Sequence, residues 1–303
     1  MTAANAKADS VPALRITHAT RVIDKESGLT KGDVAAYYVQ AAALILPHLR
    51  GRPVALVRAP DGVGGELFFQ KHAKGNDLPG VTLLDPALDP EHEPLLQIDS
   101  AEGLASAAQM NVIELHTWNA TSDAIDRPDR MTFDLDPGEG VPWAQVQEAA
   151  LLVHTLLQEI GLDGFLKTSG GKGLHVVVPI RRHHGWDTVK SFSQALVVHL
   201  AQTIPERFVA KSGPRNRVGR IFVDYLRNGF GATTASAWSV RARPGLGISV
   251  PVAWDELPML KSGAHWQLRS VADRLELGNT PWAGWDKARK GISSPMKRVG
   301  FKP

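Results

Sequence analysis

The chain contains no cysteine, which excludes disulfides and thiolate-bound metals and fits a reducing, cytoplasmic setting. It has no apolar run near the roughly twenty residues that a membrane-spanning helix needs, so no membrane partner is expected. Its opening MTAANAKADS is small and polar, and reads as a disordered tail over residues 1–12 rather than a signal peptide. Internal repeats and low-complexity segments are also missing, which argues against a solenoid or a long linker. Two stretches lack charge of one sign. Between 85 and 102, Asp85, Asp89, Glu91, Glu93, Asp99 and Glu102 occur without a single Lys or Arg. Between 207 and 220, Arg207, Lys211, Arg215, Arg217 and Arg220 occur without an acid, and Arg241 and Arg243 follow. Segregation of this kind suits a polyanion held on one side of the molecule, with a solvated basic loop as the alternative.

With 303 residues, 43% of them hydrophobic, and a net charge of +3, the chain can bury an ample core. Its most informative stretch is Met131-Thr132-Phe133-Asp134-Leu135-Asp136-Pro137. Period-two alternation puts Met131, Phe133 and Leu135 on one face of a strand and Thr132, Asp134 and Asp136 on the other. Paired carboxylates repel unless a cation sits between them, and their hard oxygens suit Mg²⁺ or Mn²⁺. Alone, such a pair is equally well read as a solvated strand end entering an Asp-Pro-Gly turn. A lone Asp in the apolar run Ile221-Phe222-Val223-Asp224-Tyr225 could supply a third carboxylate for a two-metal clamp.

Around these runs the expected elements alternate. Thr30 and Asp33 approximate a capping box opening a helix with Val34, Tyr37, Tyr38, Ala41, Ala42 and Ile45 on its apolar stripe, stopped by Pro47. Lys31 at that helix's N-terminus makes sense if an anion binds there. Val54–Val57 reads as a buried strand, and Leu67–His72 as a second one whose adjacent Phe68 and Phe69 face opposite sides, so one can be core and the other exposed beside Lys71 to stack on a base, with plain core packing of both as the alternative that would normally win. Helices are expected over 101–109, from Pro142 to Ile160, and over 188–203. Val112–Leu115 leads to His116-Thr117-Trp118, which either lines a pocket or simply ends a strand. Phe165–Thr168 and Leu174–Pro179 form a hairpin around Ser169-Gly170-Gly171-Lys172-Gly173, where glycines would free backbone N–H groups for an anion alongside Ser169, Lys172 and His175. The glycine spacing is not that of a Walker A loop. Residues 238–245 read as a strand ending in Arg241 and Arg243, and the stretch after Val252 as a short helix and a partly mobile basic tail.

In this order and spacing, FDLDP (133–137), SGGKGLH (169–175), FVDYLRN (222–228) and SVRARPG (239–245) resemble the polymerase domain of bacterial DNA ligase D, a member of the archaeo-eukaryotic primase superfamily. The resemblance implies an α+β, primase-type fold over residues 13–290, with a catalytic β-sheet flanked by helices and a smaller β-rich subdomain, followed by a basic tail over 291–303. It implies a nucleotidyltransferase that adds nucleotides under template direction, ribonucleotides before deoxyribonucleotides, at gaps and broken ends during non-homologous end joining. Asp134, Asp136 and Asp224 would be the catalytic metal ligands, for two Mn²⁺ (or Mg²⁺) ions. Ser169, Lys172, His175, His116 and Arg241 would contact the nucleotide; Phe68, Phe69 and Arg217 would meet DNA. Family members usually carry Asn-Pro-x-Lys near the start, a lysine that binds the downstream 5′-phosphate with a second one. Here His18-Ala19-Thr20-Arg21 occupies that place, with Lys31 second, and arginine can still bind phosphate bidentately. Implied partners are gapped or broken DNA, nucleoside triphosphates, fused ligase and phosphoesterase domains, and the bacterial Ku protein, at the nucleoid of the cytoplasm. A non-catalytic DNA-end module and a metal-dependent phosphoesterase are the competing readings.

Overall fold

The computed structural model describes residues 16–73 and 78–302, so the tail expected over 1–12 lies outside the described residues. A short antiparallel pair, β1 (Val22–Asp24) and β2 (Leu29–Thr30), runs directly into α1 (Lys31–Gln40). The Thr30 hydroxyl accepts from the Asp33 N–H at 3.2 Å and the Asp33 carboxylate accepts from the Thr30 N–H at 2.7 Å, so the capping box closes both ways. Pro47, expected to end a single helix, instead lies inside a second one, α2 (Ala42–Leu49). Ile45 and Leu49 flank it fully buried, and their packing outweighs the one missing N–H bond. The chain continues through β3 (Val54–Arg58), β4 (Phe68–Gln70), β5 (Val81–Leu83), β6 (Leu96–Ile98), α3 (Ala101–Gln109) and β7 (Val112–Thr117). There follow β8 (Arg130–Pro137), α4 (Trp143–Glu159), β9 (Phe165–Thr168), β10 (Leu174–Pro179), α5 (Trp186–Thr203), β11 (Phe208–Val209) and β12 (Ile221–Asp224). The last elements are β13 (Thr234–Ala235), β14 (Pro251–Val252), α6 (Ala272–Leu277) and α7 (Ser293–Arg298).

Two larger sheets organise the molecule. One has six strands in the order β11-β12-β8-β10-β9-β14, the other four in the order β13-β7-β3-β4. As the alternation predicts, Met131, Phe133 and Leu135 of β8 are buried, packing with Val146, Val153 and Leu157 of α4 and Val189, Phe192 and Leu196 of α5. Each such side chain contributes about 1.5–3 kcal/mol by leaving water. The opposite, polar face of β8 turns toward the smaller sheet. Arg130 donates to the Asn119 carbonyl oxygen at 2.9 Å and to Trp118 O at 2.9 Å, just beyond β7. A second core under the smaller sheet holds Tyr38, Ile45, Leu56, Ile98, Leu104 and Ile113. The fold is thus α+β, a helix-backed sheet meeting a smaller β-rich unit.

One buried ion pair ties the two units. Arg52, entering β3, donates two parallel bonds of 2.7 Å to the carboxylate of Asp129, the residue before β8.

Two expectations are corrected. Residues 238–245 form no strand beyond an isolated bridge between Val240 and Ile248. Trp238, fully buried, adopts φ 66°, and Gly245 and Leu246 turn at φ 82° and 48°, so the backbone bends out of any ladder and presents Arg241 from a loop. The basic stretch after 290 is also packed rather than trailing: Ile292 and Met296 lie in the core beneath the large sheet. No helix of the described residues is long and apolar enough to cross a membrane.

Candidate active site

The site is laid out by strand register. Asp224 of β12 pairs directly with Asp134 of β8, and Asp134 with His175 of β10, which in turn pairs with Lys167 of β9. Directly opposed residues in antiparallel strands share a face. Two carboxylates, an imidazole and an amine from four strands therefore form one row, with Asp136 two residues along β8 on the same face. Asp134, Asp136 and His175 line a cleft of about 930 Å³ together with Lys172, Arg217, Arg227 and Arg241, while Asp224 and Lys167 are buried and lie outside its lining.

Guanidinium groups hold the carboxylates apart. Arg227 Nε lies 3.1 Å from Asp224 and 3.7 Å from Asp134, and Arg217 donates to Asp136 at 2.7 Å. Burial pushes the Asp134 carboxyl up, but His175, Arg227 and Arg241 outweigh it and hold the group well below the usual carboxylate range. Asp136 and Asp224 go the other way. Burial raises both, the negative Asp134 raises them further, and Arg217 and Arg227 only partly offset this. Asp136 and Asp224 are thus short of positive charge, and the oxygens of all three carboxylates are the donors a hard divalent cation takes. His175 lies 3.3 Å from Asp134, while burial and then Lys167 push its pKa down to about 4. Its Nδ1 is buried without a partner.

The hairpin over the row departs from expectation. The Ser169 hydroxyl oxygen accepts from the N–H groups of Gly171 and Gly173 at 3.0 and 3.1 Å, and the Gly170 N–H goes to Gly263 O at 2.8 Å. The glycine N–H groups are therefore already bonded, two within the turn and one to Gly263, and not turned toward an anion. The glycines serve close approach instead: a Cβ on Gly173 would lie 1.9 Å from Leu135 O of β8. Of this turn it is the exposed Lys172 that offers charge to the cleft.

Arg241 reaches the cleft from its loop, donating to Ser169 O at 2.8 Å and to Glu114 at 2.9 Å. The same Glu114 oxygen takes a 2.6 Å bond from His116 Nε2, and its other oxygen accepts from the Ala242 N–H at 2.7 Å. Burial raises the Glu114 carboxyl, but His116, Arg241 and that N–H bring it down to about 2. Glu114 was missed from sequence, as were Arg227 and Lys167. The strand pattern Glu114-Leu115-His116 puts acid and imidazole on one face, which was the available signal for the first. Lys167, fully buried, donates to Ala235 O at 3.0 Å and Ser249 Oγ at 2.6 Å.

Phe68 and Phe69 are both exposed, at 44% and 49%, against the expectation of at least one in the core. β4 is the edge strand of its sheet. Phe69 meets His116 edge-on at 5.8 Å, and His116 reaches the cleft residue Arg241 only through Glu114, so neither phenylalanine nor His116 lines the cleft itself. Arg21 and Lys31 are not brought to the cleft; they form a separate basic spot. Lys31 is buried, donating to Thr17 O at 3.0 Å and Gln109 Oε1 at 3.3 Å, and Arg21 donates to Asn111 Oδ1 at 2.9 Å. Burial, then the charge of Arg21, lowers the Lys31 pKa.

Comparison with known proteins places this geometry. Residues 30–282 match the family model described as LigD, primase-polymerase domain. The chain is 54% identical over 297 residues to the multifunctional non-homologous end joining protein LigD of Pseudomonas aeruginosa, covering 97% of this chain and 35% of that protein. It is 32% identical over 267 residues to the corresponding protein of Mycolicibacterium smegmatis, covering 87% of this chain and again 35% of the relative. The chain thus spans about a third of the length of these curated relatives. Among solved structures, the polymerase domain from Mycobacterium tuberculosis ligase D in complex with DNA aligns with a TM-score of 0.79 at 31% identity, over 87% of this chain and 94% of that one.

Proposed function

The chain belongs to the LigD primase-polymerase domain family, and from that premise we propose that its cleft adds nucleotides to a primer under template direction, filling gaps at broken DNA ends during non-homologous end joining. The observation that carries this reading is the register that sets Asp224, Asp134 and His175 side by side below Lys172 and Arg241. Asp134, Asp136 and Asp224 fit a divalent cation by donor type, and Asp136 and Asp224 also by their unmet need for positive charge; the three would hold two Mn²⁺ or Mg²⁺ ions. Bound there, such ions would acidify a primer 3′-hydroxyl and neutralise the departing pyrophosphate.

The chain's own groups do the rest. Lys172 and Arg241 reach the triphosphate from the hairpin and the facing loop, and Ser169 keeps the turn that carries Lys172 in shape. His175 keeps one nitrogen toward Asp134; an anion beside its unpartnered Nδ1 would favour the doubly protonated ring, which then donates to a phosphate oxygen. His116 and Arg241 share Glu114 and so approach the nucleotide as a unit. Phe68 and Phe69, exposed on an edge strand beside that unit, offer stacking faces to template bases, and Arg217 contacts the DNA backbone. Ribonucleotides are the preferred substrates. Fused ligase and phosphoesterase domains and the Ku protein are the partners, in the cytoplasm at the nucleoid.

Glu114→Gln is expected to raise KM for the nucleoside triphosphate about tenfold, the worth of a charge-assisted bond, with a smaller change in kcat. Steady-state incorporation measures the split, and a fall in kcat alone would place Glu114 in another role. Arg21 and Lys31 form the second site of the proposal, a pocket for the 5′-phosphate downstream of a gap. Either one changed to Ala should cut the preference for phosphorylated over unphosphorylated gaps about tenfold. Equal binding of the two gaps by the unmodified protein would remove the basis for that assignment.

The whole reading is tested by incubating the protein with Mn²⁺, labelled nucleoside triphosphates and a primed gap. Template-matched extension supports it. Strand cleavage or phosphate release without extension would indicate a phosphoesterase, and binding without chemistry a recruiting module.

A further inference from the structure

We propose that His72, Asp89 and His92 form a second cation site, suited to Zn²⁺ and separate from the carboxylate cleft. His72 Nε2 lies 3.0 Å from one Asp89 oxygen and His92 Nδ1 lies 2.9 Å from the other. One ligand-type atom from each of the three falls within 4.8 Å of the others, a grouping that stands alone by this measure among the described residues. The two imidazoles stack at 4.7 Å with their planes only 9° apart, and each turns one nitrogen to its own oxygen of Asp89.

The donor set decides which ion. Two imidazole nitrogens and one carboxylate oxygen are a borderline set that favours Zn²⁺, whereas Mg²⁺ and Mn²⁺ favour sites rich in oxygen. Ligands about 2.0–2.1 Å from a tetrahedral ion stand roughly 3.3 Å apart, so each imidazole–carboxylate contact opens by a few tenths of an ångström while the two rings turn out of their stack to aim at one ion. The His92 side chain is 55% exposed, which leaves room for a water as fourth ligand. The surrounding stretch from Asp85 to Glu102 carries six acids and no Lys or Arg, and attracts a cation. An ion would bind the nitrogen each ring turns toward Asp89 and take up that carboxylate's charge.

The site also has a place in the fold. His72 follows directly on β4, the strand of Phe68 and Phe69, and bridges to Leu95. Asp89 and His92 belong to the acidic turn between β5 and β6. A bound ion would fasten the exposed aromatic strand to that turn. None of the three residues lines the cleft, so the inference does not depend on what the cleft catalyses.

The test is equilibrium dialysis of the tag-free, chelator-stripped full chain against Zn²⁺. One ion per chain is expected, with at least tenfold weaker binding in Asp89→Asn and in His92→Ala, whose exposed position spares the fold. The double variant Asp134→Asn/Asp136→Asn should bind the ion as the unmodified protein does, and Zn²⁺ should raise the melting temperature of every form except the two site variants. The proposal fails if the unmodified protein binds no Zn²⁺ at micromolar concentration. It fails equally if His92→Ala binds undiminished, or if the ion is lost with the cleft carboxylates.

Discussion

Asp134→Asn is expected to lower nucleotide addition by at least about a thousandfold, roughly 4 kcal/mol of transition-state stabilisation, while melting temperature falls only modestly. The two effects follow from one geometry. Asp134 is the middle member of the row, in register with Asp224 on one side and His175 on the other, and two residues from Asp136. Asn keeps its volume but removes the charge that would grip a cation and that pushes the other two carboxyls upward. Removing it relieves the repulsion on Asp136 and Asp224 but gives up the pairing of Asp134 with His175 and Arg227, so the two changes largely offset in the fold. DNA binding, which draws on Arg217 and the basic segment, should persist. Asp136→Asn is expected to behave in the same way. Incorporation retained by either variant would show that these carboxylates do not hold the catalytic cation.

The largest stability effect is expected at Arg52. Its forked bonds to Asp129 are buried, and Arg52→Ala would leave a carboxylate in the interior with Arg289, 3.4 Å away, as its remaining close partner. Breaking a buried pair in this manner costs about 3–5 kcal/mol, and a melting temperature lower by about 10 °C. Arg52→Lys should recover only part, because a single ammonium cannot make the fork. Burial raises the Asp129 carboxyl, but Arg52, Arg130 and Arg289 bring it down to about 2, below its unfolded value of about 3.8. Its folded form therefore binds protons less readily than the unfolded chain. The stabilisation is complete above about pH 4 and is lost as the pH falls toward 2. Unfolding in urea at pH 7 and pH 3 checks both statements; identical curves for Arg52→Ala and the unmodified protein would contradict them.

Local chemistry made much of the fold legible. The alternation in 131–137 identified the buried face of β8, the Thr30–Asp33 spacing identified the start of α1, and the 169–173 turn fell between the expected strands. What could not be read was register. Asp224 lies ninety positions from Asp134 in the chain, and only strand pairing reveals that they are opposed. The same gap hid Glu114, whose Arg241 partner is 127 residues away, and Arg227, which resembles a surface arginine until Asp134 and Asp224 are seen on either side. The glycines of the hairpin were misjudged for a different reason. Freedom of the backbone was read as readiness for an anion, whereas the carbonyl of Leu135 occupies the space a side chain would need.

The central claim is that three carboxylates from two strands hold divalent cations beside the hairpin of Lys172, and titration of Mn²⁺ followed by electron paramagnetic resonance addresses it directly. With a non-hydrolysable nucleoside triphosphate present, the unmodified protein should take up Mn²⁺ and Asp134→Asn/Asp136→Asn should bind it at least tenfold more weakly. Equal uptake by the two proteins would contradict the account.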